Sequence, residues 1–252
     1  MNLILLEAGE INAAGDVRLA DARATHLLGV LRVTPGQTVR VGVIDGQRGI
    51  ATVRAINDDA VDLNCVLEAE APPRPRLDLL LAVPRPKVMR RLWSQLAASG
   101  VFRVILTNAE KVERPYFDTH LLTPPIFRPL LIEGLQQARD TMLPDISIHR
   151  RLKVLVEDDL DRLSGPALRL VADPSATSSV GEAVRPRVAT DPQTRVLLAI
   201  GPEGGWNDFE RRLLDTHGFQ SVGMGARTLR TDTACIALLA LVHDALSGRL
   251  SV

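Results

Sequence analysis

Residues 195–240 read RVLLAIGPEGGWNDFERRLLDTHGFQSVGMGARTLRTDTACIALLA. The apolar run Val196–Ile200 is short and bounded, which is typical of a buried strand. The glycine-rich loop Gly201–Gly205 follows it, and such glycines indicate backbone that takes positive φ or that lets a ligand approach closely. A helix is predicted next, because Asn207 can act as N-cap and Glu210 stands at the capping-box position.

The second half of this stretch repeats the same order of elements. A short strand over 220–224 overlaps a glycine turn, and a polar segment, 227–233, precedes an apolar helix over 234–246. We expect Thr231 or Asp232 to be the N-cap of that helix. Ligands of open α/β sheets bind at loops that follow the carboxyl ends of strands. The stretch therefore predicts an active site.

A proline-rich segment, 71–76, divides the chain into two predicted domains, 1–72 and 73–252. Short, closely spaced strands in the first domain predict a small barrel. Strands that alternate with helices in the second predict a mainly parallel α/β sheet. In its middle we expect a weak strand over 145–156 and a short acidic helix over 157–163.

Composition and charge exclude several classes of protein. The chain has 252 residues, 46% of them hydrophobic, with 30 basic and 30 acidic residues, as in a globular protein. It has neither a run of apolar residues long enough for a transmembrane helix nor the features of a secretory signal, so we expect a cytoplasmic protein without a membrane partner. Cys65 and Cys235 are expected to be reduced core residues, and the histidines lack metal-ligand spacing, so no metal site is expected.

Basic residues are concentrated in the segment 84–114. They are Arg85, Lys87, Arg90, Arg91, Arg103, Lys111 and Arg114, against Glu110 and Glu113. A solvated helix face and a phosphate-binding patch both explain this excess, since binding of nucleic acid needs only a local cluster of charge. Both interpretations stay open. The small number of aromatic residues argues against an RNA reader built on stacking platforms.

Other motifs also allow two interpretations. The sequence GPEGG lacks the order GxGxxG and the lysine of a phosphate loop, so a tight turn before an acidic helix is one alternative. Arg227 and Arg230 stand beside an apolar helix, where an arginine needs an anion or a solvent-exposed rim. The pair Asp173-Pro174 follows a strand and either turns the chain or contacts a ligand. The nucleophile and metal motifs GxSxG, CxxC and HExxH do not occur.

Two blocks together, IGPEGGWNDFE at 200–210 and GMGARTLRTDTA at 223–234, resemble the bacterial 16S ribosomal RNA (uracil-N3)-methyltransferase family of the SPOUT superfamily. Weaker matches are HLLGVLR at 26–32, Lys87 with the helix up to Val101, and QAR at 137–139 before Pro144. The sequence departs from the family pattern in GLQQARDTMLP at 134–144, in Thr228 where isoleucine is common and in Asp232 where glutamate is common.

The resemblance implies a fold and partners that the pattern of residues does not. It implies an N-terminal PUA-like β-barrel that helps to hold RNA, and a C-terminal SPOUT α/β domain whose chain forms a trefoil knot. It also implies a homodimer that binds S-adenosyl-L-methionine. The implied cofactor-binding residues are Asp173, Pro174, Ile200, Gly201, Pro202, Glu203, Gly204, Gly205, Met224, Gly225, Leu229, Arg230 and Thr231. The implied RNA-binding residues are Arg32, Arg85, Lys87, Arg90, Arg91 and Arg139.

The implied reaction is methylation of N3 of a uridine in 16S rRNA of the small ribosomal subunit. Arg230 is predicted to stabilise the uracil anion, and Glu203 to position the base or to accept its proton. Two alternatives stay open: a SPOUT methyltransferase that acts on another RNA such as tRNA, and a non-catalytic RNA-binding or ribosome-assembly protein. A dinucleotide-dependent oxidoreductase is disfavoured because the fingerprint glycines are absent.

Overall fold

The computed structural model describes residues 3–225 and 227–248. Within these residues the chain forms two compact units, 3–74 with 132–143 and 75–131 with 144–248. The first break between them lies next to the proline-rich segment. The sequence-based division differs in one respect, because it assigned 132–143 to the second domain, whereas the structure groups these residues with the first unit.

The first unit is built on a five-stranded sheet with the order β1-β3-β4-β5-β2. Only β1 and β3 run parallel, and the other pairs are antiparallel. The helix α1 begins after Asp21, whose carboxylate accepts a hydrogen bond from the backbone N–H of Arg23. The elements are β1 (Ile4–Leu6), β2 (Asp16–Leu19), α1 (Ala22–Gly29), β3 (Thr38–Val43), β4 (Arg48–Asn57) and β5 (Ala60–Leu67).

Alternating side chains of this sheet form the core of the first unit. Leu6, Leu19 and Leu63 are fully buried beside Leu27 of α1. The segment 132–143 is fixed at the β3–β4 turn, where the Thr141 hydroxyl donates to the carbonyl of Gly46 at 2.6 Å. The carbonyl of Thr141 accepts from the N–H of Asp45 at 2.8 Å. Contacts so distant in sequence cannot be predicted from local pattern, which explains the different domain division.

The second unit is an α/β fold around a six-stranded sheet with the order β11-β9-β10-β6-β7-β8. Its elements are β6 (Leu77–Ala82), α2 (Pro86–Ala98), β7 (Arg103–Thr107), α3 (Pro124–Ala138, whose last residues belong to the first unit), β8 (Asp145–His149), α4 (Leu152–Val154), α5 (Leu160–Ser164), β9 (Leu168–Ala172), α6 (Val180–Thr190), β10 (Val196–Ile200), α7 (Asp208–Thr216), β11 (Gln220–Val222) and α8 (Thr231–Leu246).

All neighbouring strands of the second sheet run parallel, which confirms the predicted parallel α/β architecture. The central strands β6 and β10 are buried along their whole length, as expected for strands covered on both faces. Their registers align the carboxyl ends, with Ile200 opposite Leu81. The loops that follow these strands therefore meet at one edge of the sheet.

The sequence-based description of the second unit was incomplete in its helices. The strand expected over 145–156 ends at His149, and a helical run that includes the π-helical turn Leu155–Asp159 begins at Leu152. The helix α6 was missed because Pro186 interrupts its pattern. The helix α3 begins at Pro124, because proline suits the first turn of a helix, where its missing N–H costs nothing.

Candidate active site

A cavity of about 280 Å³ lies where β9, β10 and β11 end at their carboxyl edges. All the predicted cofactor-binding residues except Arg230 line it. These residues are Asp173, Pro174, Ile200, Gly201, Pro202, Glu203, Gly204, Gly205, Met224, Gly225, Leu229 and Thr231. The structure thus brings three separate parts of the chain, 171–174, 200–206 and 221–225 with 227–231, around one cavity. That this cavity holds a cofactor remains a prediction.

The glycine-rich loop after β10 is a tight turn that is also held by a contact from the loop after β7. The N–H of Gly205 donates to the carbonyl of Pro202 at 2.8 Å, and Gly205 has φ +69°, where a side chain would be strained. The Lys111 ammonium donates to the carbonyl of Gly204 at 2.7 Å. A Cβ at Gly204 would lie 2.7 Å from Cδ of Lys111, so even alanine there would displace this lysine.

Glu203 points from this loop to the start of α2. Its Oε1 accepts a hydrogen bond from the backbone N–H of Arg85 at 3.3 Å. Arg85 is the N-cap residue of α2 and follows β6, the strand beside β10. Glu203 therefore stands between the cavity and the basic segment that was predicted to bind RNA.

The helix α7 begins as predicted from the sequence. Asn207 is its N-cap, and Asn207 and Glu210 form a capping box. The buried Glu210 also accepts a hydrogen bond from the backbone N–H of Glu110 at 2.7 Å. This carboxylate joins the loop after β7 to the helix that follows the glycine-rich loop, so the two loops are fixed side by side.

The segment after β9 uses Asp173 to shape its turn. Oδ1 of Asp173 accepts hydrogen bonds from the backbone N–H and the hydroxyl of Ser175, at 2.8 and 2.7 Å. The Ser175 hydroxyl holds the pKa of this carboxyl below its usual 3.8. Of the two interpretations of Asp173-Pro174, the turn is thus observed directly, and both residues also line the cavity.

The polar segment before α8 contributes four residues to the cavity lining, but Arg230 is not one of them. Arg227, Thr228, Leu229 and Thr231 line the cavity. Arg230 does not, and its side chain is 79% exposed. The predicted N-cap was wrong: Arg230 holds that position with extended backbone, while Thr231 is already helical and only 6% exposed.

Asp232 lies in the first turn of α8 beside Arg230. Its Oδ1 is 4.0 Å from Nε of Arg230, and its Oδ2 accepts from Nη2 of Arg91 at 2.9 Å. Burial raises the pKa of Asp232, but the N–H of Thr233 and the two arginines outweigh it, so the pKa lies below 3.8. Asp232 therefore carries a negative charge that holds both arginines near the start of α8.

The predicted RNA-binding residues fall into two groups. Arg85, Lys87, Arg90 and Arg91 are exposed at the N-terminal half of α2. Arg32 and Arg139 belong to the first unit, where both are exposed and have left-handed backbone, with φ of 50° and 59°. Such backbone is unusual for arginine and costs of order 1 kcal/mol. Strained backbone of this kind is often found at functional positions, but it does not identify the function.

Sequence reasoning missed several residues of this region. Trp206, Arg211, Asp215, Phe219 and Ser221 line the cavity but were not predicted. Arg211 and Asp215 share a face of α7, one turn apart, so the helical period could have indicated them once the loop was suspected. Trp206 packs against Gly201, whose Cβ would lie 3.1 Å from the indole nitrogen. A glycine that packs against a tryptophan ring within one loop leaves no periodic signal in a single sequence.

A wider cavity of about 660 Å³ lies at the opposite edge of the same sheet, beside Leu168, Arg195 and Gln220. Two of its three arginines are already engaged. Arg169 donates to the carbonyl of His217 at 2.9 Å, and Arg195 pairs with the fully buried Asp78 at 2.9 Å. The first contact satisfies a carbonyl at the C-terminal end of α7, and the second neutralises a carboxylate buried in β6, so both arginines have structural roles.

The described residues contain neither a metal-binding cluster nor a membrane-spanning helix. Within 3–225 and 227–248, no group of three or more His, Cys, Asp or Glu residues could hold a metal ion. In the same part of the chain, every helix is too short or too polar to cross a membrane.

The family model and the sequence relatives that match this chain are all RNA methyltransferases. A family model described as RNA methyltransferase domain matches residues 71–243. The ribosomal RNA small subunit methyltransferase E of Treponema pallidum is 31% identical over 247 residues, covering 96% of this chain and 90% of that protein. The ribosomal RNA small subunit methyltransferase E 1 of Borreliella burgdorferi is 24% identical over 238 residues, covering 94% of this chain and 95% of that protein.

Solved structures show the same fold. The ribosomal RNA small subunit methyltransferase E of Neisseria gonorrhoeae, bound to S-adenosyl methionine, has a TM-score of 0.76 at 19% identity and covers 97% of both chains. A putative methyltransferase of Legionella pneumophila, in complex with the cofactor SAM, has a TM-score of 0.73 at 21% identity. With the sequence matches, these findings confirm the resemblance carried by residues 200–234: the chain belongs to the RNA methyltransferase family and, within it, to the ribosomal RNA small subunit methyltransferase E proteins.

Proposed function

We propose that this protein methylates N3 of a uridine in 16S rRNA of the small ribosomal subunit, with S-adenosyl-L-methionine as methyl donor. The observation that carries the proposal is the arrangement at the cavity edge. Glu203 of the cavity wall and the exposed Arg230 stand beside a cavity built from glycine-rich loops. The names of the sequence relatives and the cofactor bound to the structural neighbours support it.

The walls of the cavity fit this donor chemically. Ile200, Phe219 and Leu238 supply apolar surface for a ring, and the glycines leave backbone groups within reach. Glu203 and Asp215 supply negative charge that suits an ammonium or a sulfonium, while Arg211 and Arg227 suit a carboxylate. When bound, S-adenosyl-L-methionine supplies an electrophilic methyl group on a positively charged sulfur.

The protein has two tasks in this reaction. It has to orient N3 toward the methyl group, which can lower the barrier by several kcal/mol. It also has to stabilise the negative charge that the uracil ring gains when N3 loses its proton. Arg230 suits the second task, because its guanidinium is exposed at the edge of the cavity and is held near Asp232. Glu203 is the proposed proton acceptor.

The remaining family features are part of the proposal. The sheet of the first unit would form the PUA-like β-barrel that helps to hold RNA, and the loops around the cavity would belong to a trefoil knot. Arg32 and Arg139 would contact RNA from the first unit. A protein of this activity would work in the cytoplasm, where ribosomal RNA is found.

We further propose a homodimer through α8. This helix is apolar on nearly all sides, which is typical of a helix buried all round. Yet Leu241 is 42% exposed, and Ala240 beside it is exposed as well. A second copy of the chain would cover this face. Sedimentation analysis of a Leu241→Asp variant tests this: a dimeric wild type and a monomeric variant are expected, and a monomeric wild type would contradict the proposal.

The experiment that tests the function is a methyl-transfer assay with purified protein and labelled S-adenosyl-L-methionine. Small subunits and free 16S rRNA that lack the modification are offered separately, followed by nucleoside mass spectrometry. We expect 3-methyluridine in at least one ribosomal substrate. Product in tRNA alone would favour a SPOUT enzyme with another target. RNA binding without product in any substrate would favour a non-catalytic ribosome-assembly protein.

A further inference from the structure

We infer that Tyr116 is the base-stacking residue of the RNA site. The inference rests on the proposed function and adds a substrate contact to it. Tyr116 is the one tyrosine of the chain and lies in the 3₁₀ turn Arg114–Phe117, which follows β7. The strand β7 neighbours β6, whose carboxyl end leads into Arg85 and α2. Tyr116 therefore lies on the side of the cavity that carries the basic segment.

Contacts place the loop that leads to Tyr116 beside the proposed catalytic loop. Five residues before Tyr116, the Lys111 ammonium donates to the carbonyl of Gly204 at 2.7 Å. In the same glycine-rich loop, Glu203 accepts from the backbone N–H of Arg85 at 3.3 Å. The segment before Tyr116 and the basic start of α2 therefore both contact the glycine-rich loop.

Two hydrogen bonds to Glu113 hold Tyr116 in place. Its hydroxyl donates to Oε1 of Glu113 at 2.8 Å, and its backbone N–H donates to the carbonyl of Glu113 at 2.9 Å. The next residue, Phe117, is 7% exposed, and the guanidinium of Arg150 lies 5.5 Å from the centre of its ring. The hydroxyl of Tyr116 is already used, so the part-exposed ring face is what remains for a ligand.

Most other aromatic side chains of the described residues cannot take this role. Trp93, Phe117, Trp206 and Phe219 are at most 7% exposed. Phe102 lies against the guanidinium groups of Arg103 and Arg195, and Phe127 lies against Trp93. Phe209 is 52% exposed, but it does not line the cavity, and it lies two residues before the cavity-lining Arg211 and hence on another face of α7. Phe209 is therefore a suitable control.

Stacking of a base on an aromatic ring tolerates any planar base and is lost when the base is not planar. We expect the protein to bind fluorescein-labelled oligouridylate more tightly than a matched oligomer of dihydrouridylate, whose saturated ring is puckered. Tyr116→Ala should weaken oligouridylate binding roughly ten- to a hundredfold and remove the preference for the planar base. Tyr116→Phe and Phe209→Ala should bind like wild type, and calorimetry should give an unchanged affinity for S-adenosyl-L-methionine in every variant.

Three outcomes would overturn the inference. If Tyr116→Phe loses as much affinity as Tyr116→Ala, the residue acts through its bond to Glu113. If wild type does not distinguish the planar from the puckered base, no stacking occurs. If Tyr116→Ala also loses the methyl donor, the turn supports the cavity. The binding assay needs no methyl transfer, so absence of activity in wild type would refute the proposed function and leave this result interpretable.

Discussion

The guanidinium of Arg91 donates a 2.9 Å hydrogen bond to the carboxylate of Asp232, which joins α2 to the first turn of α8. Arg91 was predicted to contact RNA phosphates together with its neighbours on α2. That contact stays a prediction, and the structure gives Arg91 a partner that also lies 4.0 Å from Nε of Arg230. We therefore propose that Arg91 and Asp232 position Arg230. Lys87 and Arg90, which are exposed on the same helix, remain the predicted phosphate contacts of α2.

Removal of the charge on Asp232 tests this positioning role. Asp232→Asn should slow single-turnover methyl transfer while the affinity for S-adenosyl-L-methionine stays near that of wild type. Because the ion pair is partly exposed, the free energy of unfolding should fall by no more than about 1 kcal/mol. Asp244→Asn is the matched control, because Asp244 pairs with Arg185 at 2.9 Å near the other end of α8. Equal rates for both variants would contradict the role of Asp232.

Charge reversal on α2 tests the proposed phosphate contacts. Lys87→Glu with Arg90→Glu should weaken RNA binding and flatten the plot of log affinity against log salt by about 1.5 units, the scale expected for two lost phosphate contacts. Arg187→Glu is the control, because this exposed residue lies beside the cavity at the opposite edge of the sheet. An unchanged slope in the double variant would mean that Lys87 and Arg90 form only a solvated face.

Replacement of Arg139 by glycine should raise the stability of the fold and lower its affinity for RNA. The φ of Arg139 is 59°, which favours glycine, and the residue directly follows α3. Arg139→Gly should therefore raise the free energy of unfolding by about 0.5–1 kcal/mol, while RNA affinity falls because a phosphate contact is lost. Denaturation and RNA titration measure the two effects. A variant that gains stability and keeps full RNA affinity would remove Arg139 from the RNA site.

Stability should depend on pH through His243 of α8. Burial lowers the pKa of this imidazole below 6.5, so the unfolded chain binds a proton that the folded chain resists. Its contribution is present above pH 6.5 and is lost as the pH falls toward the folded pKa. His243→Gln should reduce the difference between urea midpoints measured at about pH 7.5 and about pH 5.5. An unchanged difference in the variant would contradict the role of His243.

Local signals explain what the sequence could predict. The cap formed by Asn207 and Glu210 and the apolar strand Val196–Ile200 depend on neighbouring residues, and both were predicted correctly. Parallel strands end at one edge, so the grouping of segments around the cavity followed from topology and from the family resemblance. The pairing of Arg91 with Asp232 and the contact of Lys111 with Gly204 join residues far apart in the chain. A single sequence without aligned relatives carries no signal for such contacts.

The replacement of Arg230 by alanine tests the central claim most directly. Its side chain is 79% exposed and caps no backbone group, so the variant should fold and bind methyl donor and RNA nearly as wild type does. The measurement is single-turnover methyl transfer at saturating donor and RNA. We predict a rate roughly a hundredfold lower, the scale of losing one preorganised charge at the transition state, with partial recovery at higher pH, where N3 ionises without help. A rate loss that disappears when RNA is raised to saturation would contradict the claim, because Arg230 would then only dock the substrate.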